Sequence, residues 1–242
     1  MVYLMVEQQF AKYPWCQRTI RGIFEEVRKR RIHVQEVSEL PGGAEERSCV
    51  LLVGASEEWI NQTARGAGSL GLHPIVLSNR ETNSSGLSVS SVKMDIHSSM
   101  ELAVDYLRTL DRERLALFGV NPSASSDLWR ARRFGELTGR EGDVFFLGSS
   151  VNEIFDQFYE KIQRYAGVIC ASDYAAVSLV GRLREKNYAI PEKLYVVGYG
   201  DMFLSRLFRP SITSISDDYE SFGKAALAIC AMMEKNDAFS VV

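Results

Sequence analysis

No stretch of this 242-residue chain approaches the roughly 18 consecutive apolar residues that a membrane-spanning helix requires. The apolar residues 1–6 are too few for the core of a secretion signal and carry no basic flank. A cytoplasmic location and no membrane partner are therefore expected. Cysteine is scarce: the four residues Cys16, Cys49, Cys170 and Cys230 stand far apart, with no CxxC pair, and are expected to be buried free thiols. The three histidines, His33, His73 and His97, form no HExxH and have no ligand-spaced partner, so no metal site is expected. Also missing are a GxSxG elbow, a Walker loop and a GxGxxG after the first strand, where "VEQQFAKYP" stands instead. Without them no catalytic constellation or cofactor site is legible, and the chain is not expected to be an enzyme. Positive charge is not in excess either, at 28 Lys+Arg against 31 Asp+Glu for a net −3. The broad basic face that neutralises nucleic-acid phosphates is absent. The one basic run, Arg28-Lys29-Arg30-Arg31, falls at a helix end, where cations complement the dipole.

Apolar residues are plentiful, at 46% of the chain with 24% charged, the balance of a globular protein with ample core. Short β-rich runs predict strands at 2–6, 34–37, 50–54, 74–78, 115–120, 144–148, 167–170, 195–200 and 213–216. Between them apolar residues recur at helical spacing. Cys16, Ile20, Ile23 and Val27 share one face, as do Leu102, Tyr106, Leu107 and Leu110, then Ile154, Phe155, Phe158 and Ile162. The same holds for Ala176, Leu179, Val180 and Leu183, and for Phe222, Ala226, Ile229 and Met233. This β-α alternation is that of parallel sheets with crossover helices.

Nine parallel strands would make one very wide sheet, but "SNRETNSSGLSVSSVKMDIHSS" interrupts the alternation halfway and favours two sheets. A second irregular stretch, "GDMFLSRLFRPSIT", follows the eighth strand, and Phe208-Arg209-Pro210 does not continue a helix. The expected architecture is α/β: two doubly wound parallel-sheet lobes in a clamshell, residues 1–111 with 213–242 and residues 112–212. A ligand cleft is expected outside the carboxyl ends of both sheets.

The stretch "GVICASDYAAVSLVGRLREKNYAIPEKLYVVGYGDMFLSRLFRPSITSISDDYESFGKAA" resembles the effector-binding domain of the lactose-repressor/galactose-repressor family of transcription regulators. The resemblance lies in Ser172-Asp173, Ile190-Pro191-Glu192, Val196 to Asp201, and Arg209-Pro210-Ser211-Ile212-Thr213-Ser214-Ile215. "PWCQRTIRGIFEEVRKR" resembles the family's first helix and "SSDLWRARRFGEL" its "SSxxxRxxGF" segment, while "VKMDIHSSMELAVDYL" is similar in lesser degree to its "DNxxGAxxAxxHL" element. The resemblance covers nearly the whole chain. It implies a periplasmic binding protein-like clamshell, a small-molecule effector that is carbohydrate or related by default, a homodimer, and operator DNA contacted only through a helix-turn-helix head that these residues do not include. Two departures stand out. "SELPGGAEERS" is too short for the family's full helix there, so a reduced helix or a loop is expected, and with "FSVV" as the last residues the family's last strand in the second lobe is expected to be missing or truncated.

The resemblance also implies site residues. Arg130 falls on the arginine that grips the effector, and its fork of five donors suits hydroxyl, carbonyl or carboxylate acceptors. Trp15 falls at the start of the first helix, where an indole either stacks on a ligand or packs under the first loop. Ser98, Ser150, Ser172 and Gly200 stand where sugar-binding members often carry Asp, an aromatic residue, Asn and Asp. Asp201 survives from the family's "GYDD" pair, as a ligand contact or a turn residue, and Asp173 reads as a helix cap. Two other readings stay open: the solute-binding protein of a sugar transporter, since the clamshell serves both roles, and an enzyme on a doubly wound fold.

Overall fold

The structure, a computed structural model, describes residues 1–43, 48–78, 89–148 and 151–234. It divides into two units, Met1–Met94 with Asp218–Val242 and Asp95–Asp217. Among the described residues no helix is long and apolar enough to cross a membrane.

The first unit contains β1 (Val2–Val6), α1 (Pro14–Arg30), β2 (Val34–Glu36), β3 (Cys49–Val53), α2 (Glu57–Ser69), β4 (His73–Leu77), β5 (Ser90–Val92) and, from the chain's end, α8 (Tyr219–Glu234). Its sheet is parallel throughout, in the order β2-β1-β3-β4-β5. The unbroken apolar run Val50-Leu51-Leu52-Val53 is fully buried, as a central parallel strand covered on both faces requires. The edge strands β2 and β5 are short and partly polar, which blunts them against pairing with other chains.

Proline opens α1 at its first turn, and Arg31 ends it in the left-handed region at φ 55°. Within the basic last turn Lys29 and Arg30 pair with Glu26, at 3.7 and 2.6 Å. One side of α1 packs along α8 so closely that only glycines fit at the crossing. A Cβ on Gly22 would stand 2.1 Å from the Glu220 carbonyl oxygen, and one on Gly223 2.2 Å from the Ile23 nitrogen. Arg18 clamps the same pair of helices through Glu220, with Nε to Oε1 at 2.9 Å and Nη2 to Oε2 at 2.8 Å.

The second unit contains α3 (Ile96–Thr109), β6 (Leu115–Val120), α4 (Ser125–Thr138), β7 (Val144–Phe146), α5 (Val151–Lys161), β8 (Gly167–Cys170), α6 (Asp173–Glu185), β9 (Tyr195–Tyr199), α7 (Phe203–Leu207) and β10 (Thr213–Ile215). Its parallel sheet runs β10-β9-β8-β6-β7. On one face Phe118, Phe145, Phe158 and Leu179 form a core under α5 and α6; on the other Leu117, Ile169 and Val197 meet α3 and α4.

The two expected sheets are present, with differences in detail. The chain divides at Met94/Asp95 and Asp217/Asp218 rather than at 111/112 and 212/213. The reason is packing: Met100, Ala103, Val104 and Leu107 of α3 bury into the core of the second sheet, and β10 pairs with β9 through Thr213 and Val197. The expected face of α3 holds in part: Leu107 is buried and Tyr106 packs against the same core, but Leu102 is 60% exposed and Leu110 is exposed, while Met100, Ala103 and Val104 complete the buried face. A tenth strand, β5, arises inside the Ser-rich segment, and α7 occupies part of the irregular stretch after β9. Residues 37–43 and 48 of the shortened crossover carry no helix, and Leu40 lies against Gly66 of α2 instead. All four cysteines are buried, as expected, and burial followed by the nearby Glu7 pushes the Cys16 thiol up to about 11. The chain's last residues, 235–242, lie outside the described residues.

Candidate functional site

In open parallel sheets, ligand groups gather beyond the carboxyl ends of the strands, near the point where strand order reverses. In the second unit that point is β6/β8, and its carboxyl edge holds a buried ionic cluster centred on Arg130. The turn from β6 into α4 is fixed by side chains that accept backbone hydrogen bonds. Asp127 Oδ2 accepts from Asn121 N–H at 3.0 Å, and Asn121 Oδ1 from Ser123 N–H at 2.9 Å. One turn further on, Arg130 is only 6% exposed. Its Nη1 donates to Asp127 Oδ1 at 2.6 Å, its Nη2 stands 3.7 Å from Asp217 Oδ2, and its guanidinium carbon lies 3.9 Å over the Tyr199 ring. Asp217, two residues beyond β10, is 5% exposed.

Burial works against the Arg130 charge, but Tyr199, Asp127 and Asp217 outweigh it and hold the pKa above the ordinary arginine value. Burial also pushes the Tyr199 phenol up to about 12, against the pull of the Arg130 charge. The Tyr199 hydroxyl is hydrogen-bonded to Ser99 of α3. One donor stays open: Arg130 Nε is buried without a hydrogen-bond partner among the described residues. An unmet buried donor costs about 1–3 kcal/mol, which a ligand acceptor would offset.

The other predicted residues are placed as follows. Ser98 is exposed and turned to its own helix cap, its hydroxyl donating to Asp95 Oδ2 at 2.6 Å; its neighbour Ser99 is the one that reaches Tyr199. Ser172 is the N-cap of α6, accepting from Ala175 N–H at 3.1 Å, so the capping role expected of Asp173 belongs to Ser172. Gly200 and Asp201 follow the Tyr199 end of β9 with positive φ, 114° and 47°, and Asp201 forms an ion pair with Arg206. Asp201 thus stands in a turn, with its carboxylate beside the Arg206 guanidinium. Trp15, in the first unit, packs between Phe10 and Tyr219, with ring centroids at 5.9 and 6.4 Å. Ser150 lies outside the described residues. Asp127, Tyr199, Asp217 and Ser99 escaped the sequence reading. The usable signal for Tyr199 was its place as the last residue of a buried strand, and for Asp217 its place in "SISDDYE" just after one.

The carboxyl edge of the first sheet is occupied differently. At its reversal point, β1/β3, Glu7 is 4% exposed and turns its carboxylate onto the start of α2. Oε2 accepts from Ala55 N–H at 2.9 Å and Ser56 N–H at 3.0 Å, while Oε1 accepts from the Ser56 hydroxyl and from Gln9 at 2.5 Å. Burial would raise the Glu7 pKa, but these hydrogen bonds together hold it below the ordinary value.

A family described as "periplasmic binding protein-like domain" matches residues 104–240 of the chain. Among curated proteins, the HTH-type transcriptional regulator RegA of Clostridium saccharobutylicum is 32% identical over 90 residues, 37% of this chain and 24% of that protein. The HTH-type transcriptional repressor PurR of Vibrio atlanticus (strain LGP32) is 36% identical over 74 residues, 31% of this chain and 22% of that protein. These aligned segments amount to about a quarter of the relatives' lengths. Of solved structures, a LacI transcriptional regulator from Rhodococcus species superimposes with a TM-score of 0.73 at 22% identity, covering 98% of this chain and 92% of that one. The structure titled transcriptional regulator CelR-cellobiose complex gives 0.72 at 16% identity, covering 100% of this chain and 80% of that one. These likenesses show the fold.

Proposed function

The chain belongs to the family of periplasmic binding protein-like domains, and from that premise we propose that it is the effector-binding and dimerisation core of a cytoplasmic transcription regulator of the lactose/galactose-repressor type. The observation that carries the reading is the Arg130 cluster: a buried guanidinium, oriented by two carboxylates and an aromatic face, with one donor left open. Asp127 and Asp217, two carboxylates against one guanidinium, more than offset the positive charge, so the site suits the hydroxyl and carbonyl oxygens of a neutral ligand better than a phosphate. A carbohydrate or related molecule is the effector class proposed, and cellobiose, bound in a structure of the same fold, is the first candidate. Operator DNA would be met through a helix-turn-helix head outside these residues. The named relatives RegA and PurR are transcription regulators, and nothing among them favours a transporter's solute-binding protein.

Thermal unfolding against cellobiose, other neutral sugars, sugar phosphates, nucleosides and small carboxylates tests this reading. A ligand at a hundredfold its dissociation constant adds about 2.7 kcal/mol, roughly 5–10 °C in midpoint for a chain of this size. A shift with a neutral sugar is expected. Shifts confined to phosphates would contradict the ligand class, and none at all would count against the effector role.

The homodimer has a candidate face in α7, where Phe203 and Leu207, one turn apart, are 74% and 53% exposed. A second copy of the chain is the partner proposed for it. Light scattering at micromolar concentration is expected to read a dimer that Phe203→Glu dissociates; a wild-type monomer would refute the proposal.

A further inference from the structure

Asp173 is fully buried and forms no ion pair among the described residues. Its carboxylate instead fastens three segments of the second unit. Oδ2 accepts from Met202 N–H at 2.6 Å, and Oδ1 accepts from the Ser214 hydroxyl at 2.6 Å. The Ser214 oxygen in turn accepts from Asp201 N–H at 2.9 Å. The carboxylate lies so close to β9 that a Cβ at Gly198 would stand 2.2 Å from Oδ1, which leaves room for no side chain there. The start of α6, the turn after β9 and the middle of β10 therefore meet at one side chain.

Both partners that Arg130 draws from outside its own helix come from the segments tied in this way. Tyr199 is the last residue of β9, three positions before Met202, and Asp217 lies three positions after Ser214. The register pairs Ser214 with Gly198 and Ile215 with Tyr199. Side chains alternate along a strand, so Gly198 and Ser214 face α6 while Tyr199 and Ile215 face the Arg130 side. A displacement of β10 against β9 on the Asp173 face is thus transmitted through the backbone to the Tyr199 ring and the Asp217 carboxylate on the other.

We infer that Asp173, with Ser214, is a positioning residue for the Arg130 site: it fixes the Tyr199 face and the Asp217 carboxylate between which the guanidinium is held. Its functional meaning rests on the effector reading above, but the geometry is tested without any ligand. The probe is the Nε–H resonance of Arg130, assigned by its loss in Arg130→Lys and displaced from the exposed-arginine position by the ring beneath it. In Ser214→Ala and in Asp173→Asn this resonance is expected to move toward the exposed-arginine position, while the Arg18 Nε–H resonance of the first unit stays in place. Ser214→Thr, which keeps the hydroxyl, is expected to restore it. If Asp173→Asn does not fold, Ser214→Ala decides alone. A folded Ser214→Ala protein whose Arg130 resonance does not move overturns the inference, as does one in which Arg18 shifts equally. A failed ligand screen with a displaced Arg130 resonance would sink the effector reading and leave the positioning role standing.

Discussion

Alanine at Gly223 is expected to destabilise the first unit by about 3 kcal/mol, the upper part of the range for overpacking, or roughly 6–12 °C in midpoint. The added methyl would stand 2.2 Å from the Ile23 nitrogen and 2.4 Å from the Gly22 carbonyl carbon, both backbone atoms that no rotamer change relieves. Moving apart would strip α1 from α8 and loosen the Arg18–Glu220 clamp. Gly181 supplies the opposite sign. It lies inside α6 with nothing within 4 Å of an added Cβ, so Gly181→Ala should stabilise by about 0.5–1 kcal/mol through chain entropy. Thermal melts of the two variants check both signs, and a Gly223→Ala midpoint at or above wild type would mean that the helices do not cross at this distance.

Arg130→Met is expected to destabilise the second unit even with no ligand present, by about 3–5 kcal/mol, because it leaves a buried carboxylate without its cation. Asp217 is the carboxylate in question, and Asp217→Asn in the Arg130→Met background should return a large part of the loss, since removing both charges is far less costly than removing one. Urea denaturation of the two single variants and the double variant measures that coupling. Additive losses would show that Arg130 and Asp217 do not depend on each other. The result also governs how ligand screens are read: a variant at Arg130 starts from a lower midpoint, so each ligand shift must be taken against the variant's own baseline.

The strands were legible because a parallel strand covered on both faces is written as an unbroken apolar run, as in Val50 to Val53 and Leu115 to Val120. β5 was not, because Ser90-Ser91-Val92 is an edge strand whose polar residues read as loop. α2 escaped because "EEWINQTARGAGS" packs through one large apolar residue, Ile60, and otherwise through Thr63, Ala64 and Ala67, small residues that leave little apolar periodicity. The face of α3 is legible only in part: Leu107 and Tyr106 pack inward as their spacing suggests, but Leu102 and Leu110 lie outward, and the small Ala103 and Val104 take their place in the core. Arg130 was visible in "SSDLWRARRFGEL" through a resemblance, but Tyr199 and Asp217, 69 and 87 positions further along (199 − 130 and 217 − 130), reach it only through the strand order β10-β9-β8-β6. Asp173 was seen as a cap because local sequence says nothing about Ser214, 41 residues away.

The Glu7 carboxylate at the start of α2 bears on competition. The N–H groups of Ala55 and Ser56 form the kind of anion cradle that a helix start offers to a phosphate or carboxylate. Here the occupant is covalently tethered, so its local concentration does not fall on dilution, and a free anion must displace it rather than fill a vacancy. At this edge, the first unit satisfies its own helix start with a side chain it cannot lose.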